Sequence, residues 1–255
     1  MTNALSAIAK RLDDAIRSAT ATHQLPDDQQ VDAATGYAIQ AMGIELRQQR
    51  GERIVGFKMG LTSRAKMEQV GVDEVTLGRL TDAMRREEGG TLLRAEFIHP
   101  RAEPEIAFVL GRRLIGEVSM AEAALAIEAL APAVEIIDSR YENFKFSLGD
   151  VVADNSSSAA FFIGPYARPD VDIANLGMVL SIDGKPREVG TSAAILGHPL
   201  RALVAAARMT ARAGHVLEPG DIVLAGAATA AVPLTPSMQV EVEVQDIGRV
   251  RFDVS

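Results

Sequence analysis

The sequence predicts an α+β fold in which a helical N-terminal part packs on a β-rich body. Through the first fifty residues, apolar side chains recur at the spacing of amphipathic helices. After about residue 90, short apolar runs alternate with turn residues, which is typical of a β-rich body. No Gly-, Pro- or Ser-rich linker separates the two parts, so we expect them to dock on each other.

The N-terminal part is predicted to contain two helices, over about 3–22 and 29–49. Pro26-Asp27-Asp28 breaks the first helix and offers a cap for the second. A short strand is expected at Ile54–Met59, followed by a helix at Ser63–Val70 with its first residue as the cap.

The body is predicted to be built from short apolar strands separated by turns such as Asp183-Gly184. Two helices interrupt it, at about 119–130 and 199–213. The expected strands are Ile106–Leu110, Phe161–Ile163, Met178–Ile182, Ile222–Leu224, Val240–Val244 and Val250–Val254.

Composition excludes several classes of protein. The net charge of −8 disfavours nucleic acid or an anionic membrane as the main partner. The chain has no cysteine, so thiol nucleophiles and thiolate metal sites are excluded. No apolar run reaches the ~18 residues of a membrane span, and charged residues in the first turns argue against a secretory leader, so the cytoplasm is expected. We predict a helical N-terminal cap region over 1–78 and a β-rich domain over 79–255.

Three acidic residues form the strongest candidate site. Glu103 and Glu105 alternate in an extended segment, so they share one face, and Glu135 lies in an apolar run where burial is expected. One divalent cation would relieve both the repulsion and the burial, and oxygen ligands suit Mg²⁺ or Mn²⁺. A solvated strand face and a buried salt bridge are the alternatives. Pro104 further predicts a sheet edge or bulge.

Lys58 is the second candidate, because it lies between Gly56 and Gly60 in a mostly apolar strand. It either snorkels to solvent or faces an anionic substrate as a cation and proton donor. After this strand, Leu61-Thr62-Ser63 precede the predicted helix, where backbone N–H groups would favour a carboxylate.

Two further segments are weaker candidates. Asp154, Asn155 and Ser158 either form simple turns or orient groups around a metal. Gly226 and Thr229 follow a strand and either permit close packing or leave room for a flat substrate with a polar contact.

Four motifs together resemble the hydratase/decarboxylase family of the fumarylacetoacetate hydrolase superfamily. They are Gly-Phe-Lys-Met-Gly-Leu-Thr-Ser at 56–63, His-Pro-Arg-Ala-Glu-Pro-Glu-Ile-Ala-Phe at 99–108, Asp-Ser-Arg-Tyr at 138–141 and Val-Val-Ala-Asp-Asn-Ser-Ser-Ser at 151–158. The likeness runs over nearly the whole chain.

This resemblance implies a mixed β-roll of the fumarylacetoacetate hydrolase C-terminal type under a helical N-terminal part. It places the metal carboxylates on Glu103, Glu105 and Glu135 and the essential lysine on Lys58, with Mg²⁺ or Mn²⁺ as cofactor. The implied activity is decarboxylation of 2-oxo-3-hexenedioate, a small dicarboxylic 2-oxo acid of aromatic meta-cleavage catabolism. Homo-oligomers and a complex with 2-hydroxypenta-2,4-dienoate hydratase are the implied assemblies.

Three positions favour the decarboxylase over its sister hydratase: Pro104 between the two acids, Phe144-Lys145 after Asp-Ser-Arg-Tyr, and Thr76 where hydratases tend to carry an acid. Without that acid, the activation of water has no obvious agent. Three readings stay open beside it: the hydratase itself, an acylpyruvate hydrolase with His99 as base, and a non-catalytic partner subunit. For His99 we expect a structural hydrogen-bonding role.

Overall fold

The structure is a computed structural model that describes residues 2–25, 30–63, 67 and 74–255. Helices and strongly curled sheets both contribute, which confirms the predicted α+β class. None of the described helices is long and apolar enough to cross a bilayer. The α-helices of the described residues are α1 (Thr2–Ser18), α2 (Ala33–Gln49), α3 (Met120–Ala126), α4 (Leu148–Ala153) and α5 (Leu200–Arg212).

The strands form two sheets. In chain order they are β1 (Ile54–Gly60), β2 (Thr76–Thr81), β3 (Arg85–Arg86), β4 (Thr91–Leu92), β5 (Arg101–Leu110), β6 (Ile127–Ile137), β7 (Ser158–Ile163), β8 (Gly177–Ile182), β9 (Lys185–Thr191), β10 (Ile222–Leu224), β11 (Val232–Pro233), β12 (Gln239–Val244) and β13 (Gly248–Val254). The larger sheet runs β2-β1-β10-β5-β6-β7-β3, with β11 also on β5. The smaller sheet runs β4-β13-β12-β8-β9.

The large sheet has two faces of different character. Ile106 and Phe108 of β5 point to the main core shared with the smaller sheet. In that core the rings of Phe162 and Phe252 stack with centroids 4.1 Å apart. Because side chains alternate along a strand, Glu103 and Glu105 lie on the other face. The curl of the sheet encloses that face, so both glutamates are buried there.

The N-terminal helical part covers the edge strand β2, whose outer backbone groups would otherwise be exposed. Tyr37 Oη accepts from the Leu77 N–H at 3.0 Å, and Gln40 Nε2 donates to the Leu77 carbonyl at 2.9 Å. Asn155 both accepts from the Arg79 N–H and donates to the Arg79 carbonyl, at 2.7 and 2.8 Å. Side chains therefore replace a neighbouring strand and protect this edge. The boundary predicted at residue 78 lies inside β2 and stays a prediction.

The helix predicted over 119–130 is too long at its C-terminal end. It starts as expected, with a reciprocal cap between Ser119 and Glu122, but it ends at Ala126. From Ile127 the chain is extended and pairs with β5, Ile127 lying opposite Leu110. Strand pairing here overrides the helical preference of Glu128-Ala129-Leu130.

Two N-terminal boundaries also differ. The first helix ends at Ser18 and not near residue 22. The second begins at Ala33, where Asp32 is the cap and its side chain accepts from the Thr35 N–H. The break and cap predicted at Pro26-Asp27-Asp28 lie outside the described residues. Nearly all of the helix predicted at Ser63–Val70 lies outside the described residues.

The prediction that Pro104 marks an edge strand or bulge is wrong, because β5 lies inside the sheet. Pro104 faces Val134 of β6 in unbroken register. On its other side it lies in a gap, since β10 pairs only with 107–109 and β11 with 101–102. Its carbonyl accepts from the Ala228 N–H, so no strand partner needs the missing proline donor.

Candidate metal centre

Three glutamates converge on the enclosed face of the large sheet. Glu103 and Glu105 lie two residues apart on β5, and Glu135 lies directly opposite Glu103 on β6. One carboxylate oxygen from each lies within 4.8 Å of the others. Glu103 is 6% exposed and the other two are fully buried, so a solvated strand face is excluded.

Lys58 reaches the same place from β1. Its neighbours Phe57 and Met59 point into the main core, so the lysine side chain points to the opposite face. Its Nζ lies 3.0 Å from Glu135 Oε2 and donates to the Ser156 carbonyl at 3.0 Å. Lys58 therefore does not snorkel to solvent, and it is buried.

Gly78 gives the Lys58 side chain its path. A Cβ at residue 78 would lie 2.9 Å from Cγ and Cδ of Lys58 and 2.8 Å from the Asn155 carbonyl oxygen. Contacts this short are repulsive, so only glycine permits the lysine to cross β2 here.

The acids and the lysine shift one another's ionisation. Burial, and then the charge of Glu135, raise the pKa of Glu105 well above its ordinary value. Burial also raises the pKa of Glu135, against the opposing charge of Lys58. For Lys58 burial acts to lower the pKa, but the three carboxylates, Glu135 foremost, outweigh it and raise the pKa.

The donor set fits a hard divalent cation. Glu105 Oε1 is buried and has no hydrogen-bond partner among the described residues. When the three carboxylates and Lys58 are ionised, the cluster carries a net charge of −2, which one divalent cation would neutralise. Carboxylate oxygens without sulfur or imidazole suit Mg²⁺ or Mn²⁺.

Backbone and hydroxyl donors fix two of the carboxylates. The Gly226 N–H donates to Glu105 Oε2 at 2.7 Å, and Ser158 Oγ donates to Glu135 Oε1 at 2.8 Å. Gly226 has φ 104°, and a Cβ there would lie 2.1 Å from Thr62 Oγ1. Because residue 226 is glycine, Thr62 and the Glu105 carboxylate can both lie close to its backbone.

A cleft of about 660 Å³ opens beside the cluster and reaches Lys58 and Glu103. Its described lining residues are Lys58, Gly60, Leu61, Thr76, Arg101, Glu103, Ile137, Asn143, Phe144, Lys145, Phe146, Val151, Ser156, Ser157, Ala230 and Ala231.

Of the weaker sequence candidates, Leu61 lines the cleft and Thr62 is buried behind it. The Ser63 carbonyl accepts from the Met67 N–H. Thr229 Oγ1 donates to the Ala230 carbonyl at 3.0 Å, which turns its hydroxyl to the main chain. Phe57, next to Lys58, packs in the main core.

Asp154 and Asn155 bind other parts of the protein and are not among the described residues that line the cleft. Asp154 forms a buried ion pair with Arg140, and Asn155 bonds the β2 backbone. The segment is not a simple loop, because α4 ends at Ala153 and a 3-10 turn follows over Asn155–Ser157. Ser158 is the member of this group that contacts a carboxylate of the cluster.

Sequence reasoning missed three residues that line the cleft. Ser156 and Ser157 have buried hydroxyls without hydrogen-bond partners among the described residues. Their backbone is left-handed, with φ values of 51° and 58°. No local pattern signals that geometry. Arg101 precedes Glu103 by two residues, and the same period-two argument that pairs the acids could have found it.

His99 has a structural environment. Its backbone N–H donates to Asp138 Oδ1 at 2.7 Å, and its ring packs on Phe144 with centroids 5.0 Å apart. Burial lowers the pKa of His99. It is not among the described residues that line the cleft.

The chain is similar to known proteins over nearly its whole length. The family model of the fumarylacetoacetate (FAA) hydrolase C-terminal domain matches residues 62–255. A 4-oxalocrotonate decarboxylase from a Pseudomonas species is 55% identical over 98% of this chain and 98% of its own length. A TodF product hydratase from Pseudomonas putida is 39% identical over 87% of this chain and 84% of its own length.

A solved structure is similar over the whole chain. It is the 4-oxalocrotonate decarboxylase from Pseudomonas putida G7 complexed with magnesium and adipate, with a TM-score of 0.96 and 36% identity, covering 100% of this chain and 98% of that chain. This chain therefore belongs to the fumarylacetoacetate hydrolase family, as the resemblance of its motifs predicts.

Proposed function

We propose that this chain is a metal-dependent carboxy-lyase that converts 2-oxo-3-hexenedioate (4-oxalocrotonate) to 2-hydroxypenta-2,4-dienoate and CO₂ in aromatic meta-cleavage catabolism. The observation that carries the proposal is the convergence of Glu103, Glu105 and Glu135 beside buried Lys58 at the end of a cleft. The high identity to a decarboxylase over nearly the whole chain supports the same activity.

Glu103, Glu105 and Glu135 would hold Mg²⁺ or Mn²⁺. Bound there, the cation would supply Lewis-acid polarisation of the 2-oxo group. The N–H of Gly226 and the hydroxyl of Ser158 keep two of the carboxylates in place. Held donors and acceptors need no reorganisation during the reaction, which is where such sites gain most of their rate.

In the reaction the C5–C6 bond breaks and its electron pair moves through the C3–C4 double bond to the C2 oxygen. Lys58 would offset this charge and donate a hydrogen bond or proton to that oxygen; its Nζ lies beside Glu135, and the residue lines the cleft, which supports this role. Phe144 and Leu61 contribute apolar surface to the lining of the cleft in which the substrate would lie.

The direct test is to mix the purified chain with Mg²⁺ and 2-oxo-3-hexenedioate and to follow CO₂ release and dienol absorbance. Glu105→Gln should abolish both signals. Glu128→Gln is the matched control, because Glu128 is an exposed glutamate on the same strand as Glu135. Absence of CO₂ from the wild-type protein loaded with Mg²⁺ or Mn²⁺ would remove the proposal.

Hydration of 2-hydroxypenta-2,4-dienoate is the second candidate, favoured by the similarity to a hydratase. Against it, the cleft is lined by Thr76 at the position where hydratases tend to carry an acid. Among the described lining residues the acidic one is Glu103, which is already assigned to the metal. Incubation with the dienoate separates the two, since a hydratase would add water to it whereas a decarboxylase would leave it unchanged. A third reading, a non-catalytic partner subunit, predicts that the cluster does not bind Mn²⁺.

We also propose a cytoplasmic homo-oligomer that associates with 2-hydroxypenta-2,4-dienoate hydratase, on the strength of the family resemblance. Sedimentation of the chain alone and mixed with such a hydratase tests this assembly. A monomer that does not shift in the mixture would contradict it.

A further inference from the structure

Arg101 lies on the same strand face as the metal carboxylates. It precedes Glu103 by two residues on β5, as Glu103 precedes Glu105. Residues two apart on a strand are separated by roughly 6.5–7 Å and point the same way. Arg101 therefore stands one such step outside the cluster, and it lines the same cleft.

The outer cleft is positively charged. Arg101 and Lys145 both line it, and neither side chain forms an ion pair with the described residues. The Arg101 guanidinium rests on the Phe144 ring, 4.2 Å from its centroid, which orients the side chain without neutralising it. At the inner end, a divalent cation together with Lys58 would balance the three glutamates, so Arg101 and Lys145 are left to pair with a second anion.

We propose that Arg101 forms an outer subsite that binds the distal carboxylate of a dicarboxylic substrate. This inference rests on the proposed function, since it assumes that the 2-oxo acid end sits at the glutamate cluster. In an extended six-carbon diacid the carboxylate carbons are roughly 6 Å apart, which matches the step from Glu103 to Arg101. Arg101 is half-buried whereas Lys145 is exposed, so an ion pair at Arg101 is less screened by water.

The subsite has a distinctive kinetic consequence, because the distal carboxylate is the group that leaves as CO₂. Its ion pair with Arg101 is strongest before the C5–C6 bond breaks and weakens as the negative charge moves away. Such an interaction lowers KM without raising kcat. Arg101→Gln should therefore raise KM and leave kcat unchanged or higher, whereas a merely structural defect would lower kcat.

Binding of two matched, unreactive ligands tests the subsite without turnover. In 2-oxohexanedioate the double bond needed for CO₂ loss is missing, and 2-oxohexanoate is the same chain with a methyl group in place of the distal carboxylate. By calorimetry in saturating Mg²⁺ we expect wild-type protein to prefer the diacid by ~10–100-fold, the range of one charge-assisted contact. Arg101→Gln should remove this preference by weakening the diacid alone, and Arg101→Lys should restore part of it.

Arg113→Gln is the control for loss of one positive charge, because Arg113 is 60% exposed and pairs with Glu218 outside the cleft. It should leave both affinities unchanged. Equal weakening of both ligands by Arg101→Gln, or no weakening of the diacid, would overturn the subsite. If the preference for the diacid depends on Arg101 but the wild-type protein releases no CO₂, the subsite stands and the proposed function is wrong.

Discussion

Glu103 and Glu135 face each other as one cross-strand pair on β5 and β6, with both carboxylates buried. Like charges directly opposite each other destabilise an antiparallel sheet. Glu105 adds a third carboxylate within reach of the same point. Lys58 relieves part of this repulsion through Glu135.

The first prediction concerns metal binding and stability. Mn²⁺ or Mg²⁺ should raise the melting temperature, because binding at 100 times Kd adds about 2.7 kcal/mol, or about 5–10 °C for a chain of this size. Glu105→Gln should melt higher than wild type without metal, since it removes a buried like charge, and should lose most of the metal shift. Differential scanning fluorimetry with and without EDTA measures both effects.

Glu128→Gln provides the comparison for that experiment, because Glu128 is exposed on β6 away from the cluster. Its metal shift should equal that of wild type. A full metal shift in Glu105→Gln would mean that the cation binds elsewhere.

The second prediction concerns Lys58. Lys58→Met keeps the length of the side chain and removes its charge, so turnover should fall by orders of magnitude while Mn²⁺ still binds. Without metal the variant should also be less stable by about 3–5 kcal/mol, because one partner of a buried ion pair is lost. Steady-state kinetics and Mn²⁺ titration separate the two effects.

Lys10→Met is the matched substitution, since Lys10 lies on the surface and pairs with exposed Asp14. It should change neither turnover nor melting temperature measurably. Normal turnover in Lys58→Met would exclude Lys58 from the reaction.

The parts of the site that the sequence predicts are those set by local geometry. Glu103 and Glu105 share a face because extended chains alternate, and Glu135 is buried because its run is apolar. The strand Ile54–Gly60 likewise puts Lys58 opposite the core-facing Phe57 and Met59. Each of these follows from a few neighbouring residues.

What the sequence does not reveal depends on partners far along the chain. Asp154 and Asn155 look like candidates for a metal site, yet Asp154 pairs with Arg140 and Asn155 with the backbone of Arg79. The end of α3 at Ala126 is likewise decided by pairing with β5. That pairing cannot be predicted from the local propensities of the residues. The density of polar residues indicates a segment close to the site. Which residue each side chain binds depends on the fold.

The third prediction uses the crossing of Lys58 over Gly78. Gly78→Ala would place a methyl group 2.9 Å from Lys58 Cδ and 2.8 Å from the Asn155 carbonyl oxygen. The lysine must shift, so kcat should fall by at least ~10-fold, since a misplacement of about 1 Å can cost 100-fold. Mn²⁺ affinity should change little, because the three glutamates are untouched.

Gly43→Ala makes the same chemical change where a Cβ meets nothing within 4 Å, in the middle of α2. It should preserve kcat and raise stability by about 0.5–1 kcal/mol, the usual gain of alanine over glycine in a helix. Equal kcat in the two variants would contradict the steric role of Gly78.

The fourth prediction concerns pH and His215, whose Nε2 lies 3.3 Å from Arg79 Nη2 and whose ring packs near Phe57. Burial, and then the charge of Arg79, lower the pKa of His215 in the folded protein. Below the unfolded pKa of about 6.5 the unfolded chain therefore binds a proton that the folded chain resists, so stability falls as pH falls. Between pH 7.5 and 5.5 the free energy of unfolding should decline more steeply for wild type than for His215→Gln, as measured by urea titration at each pH. Because the other titrating groups are common to both proteins, the difference between the two curves isolates His215, and parallel curves would show that its proton affinity does not change on folding.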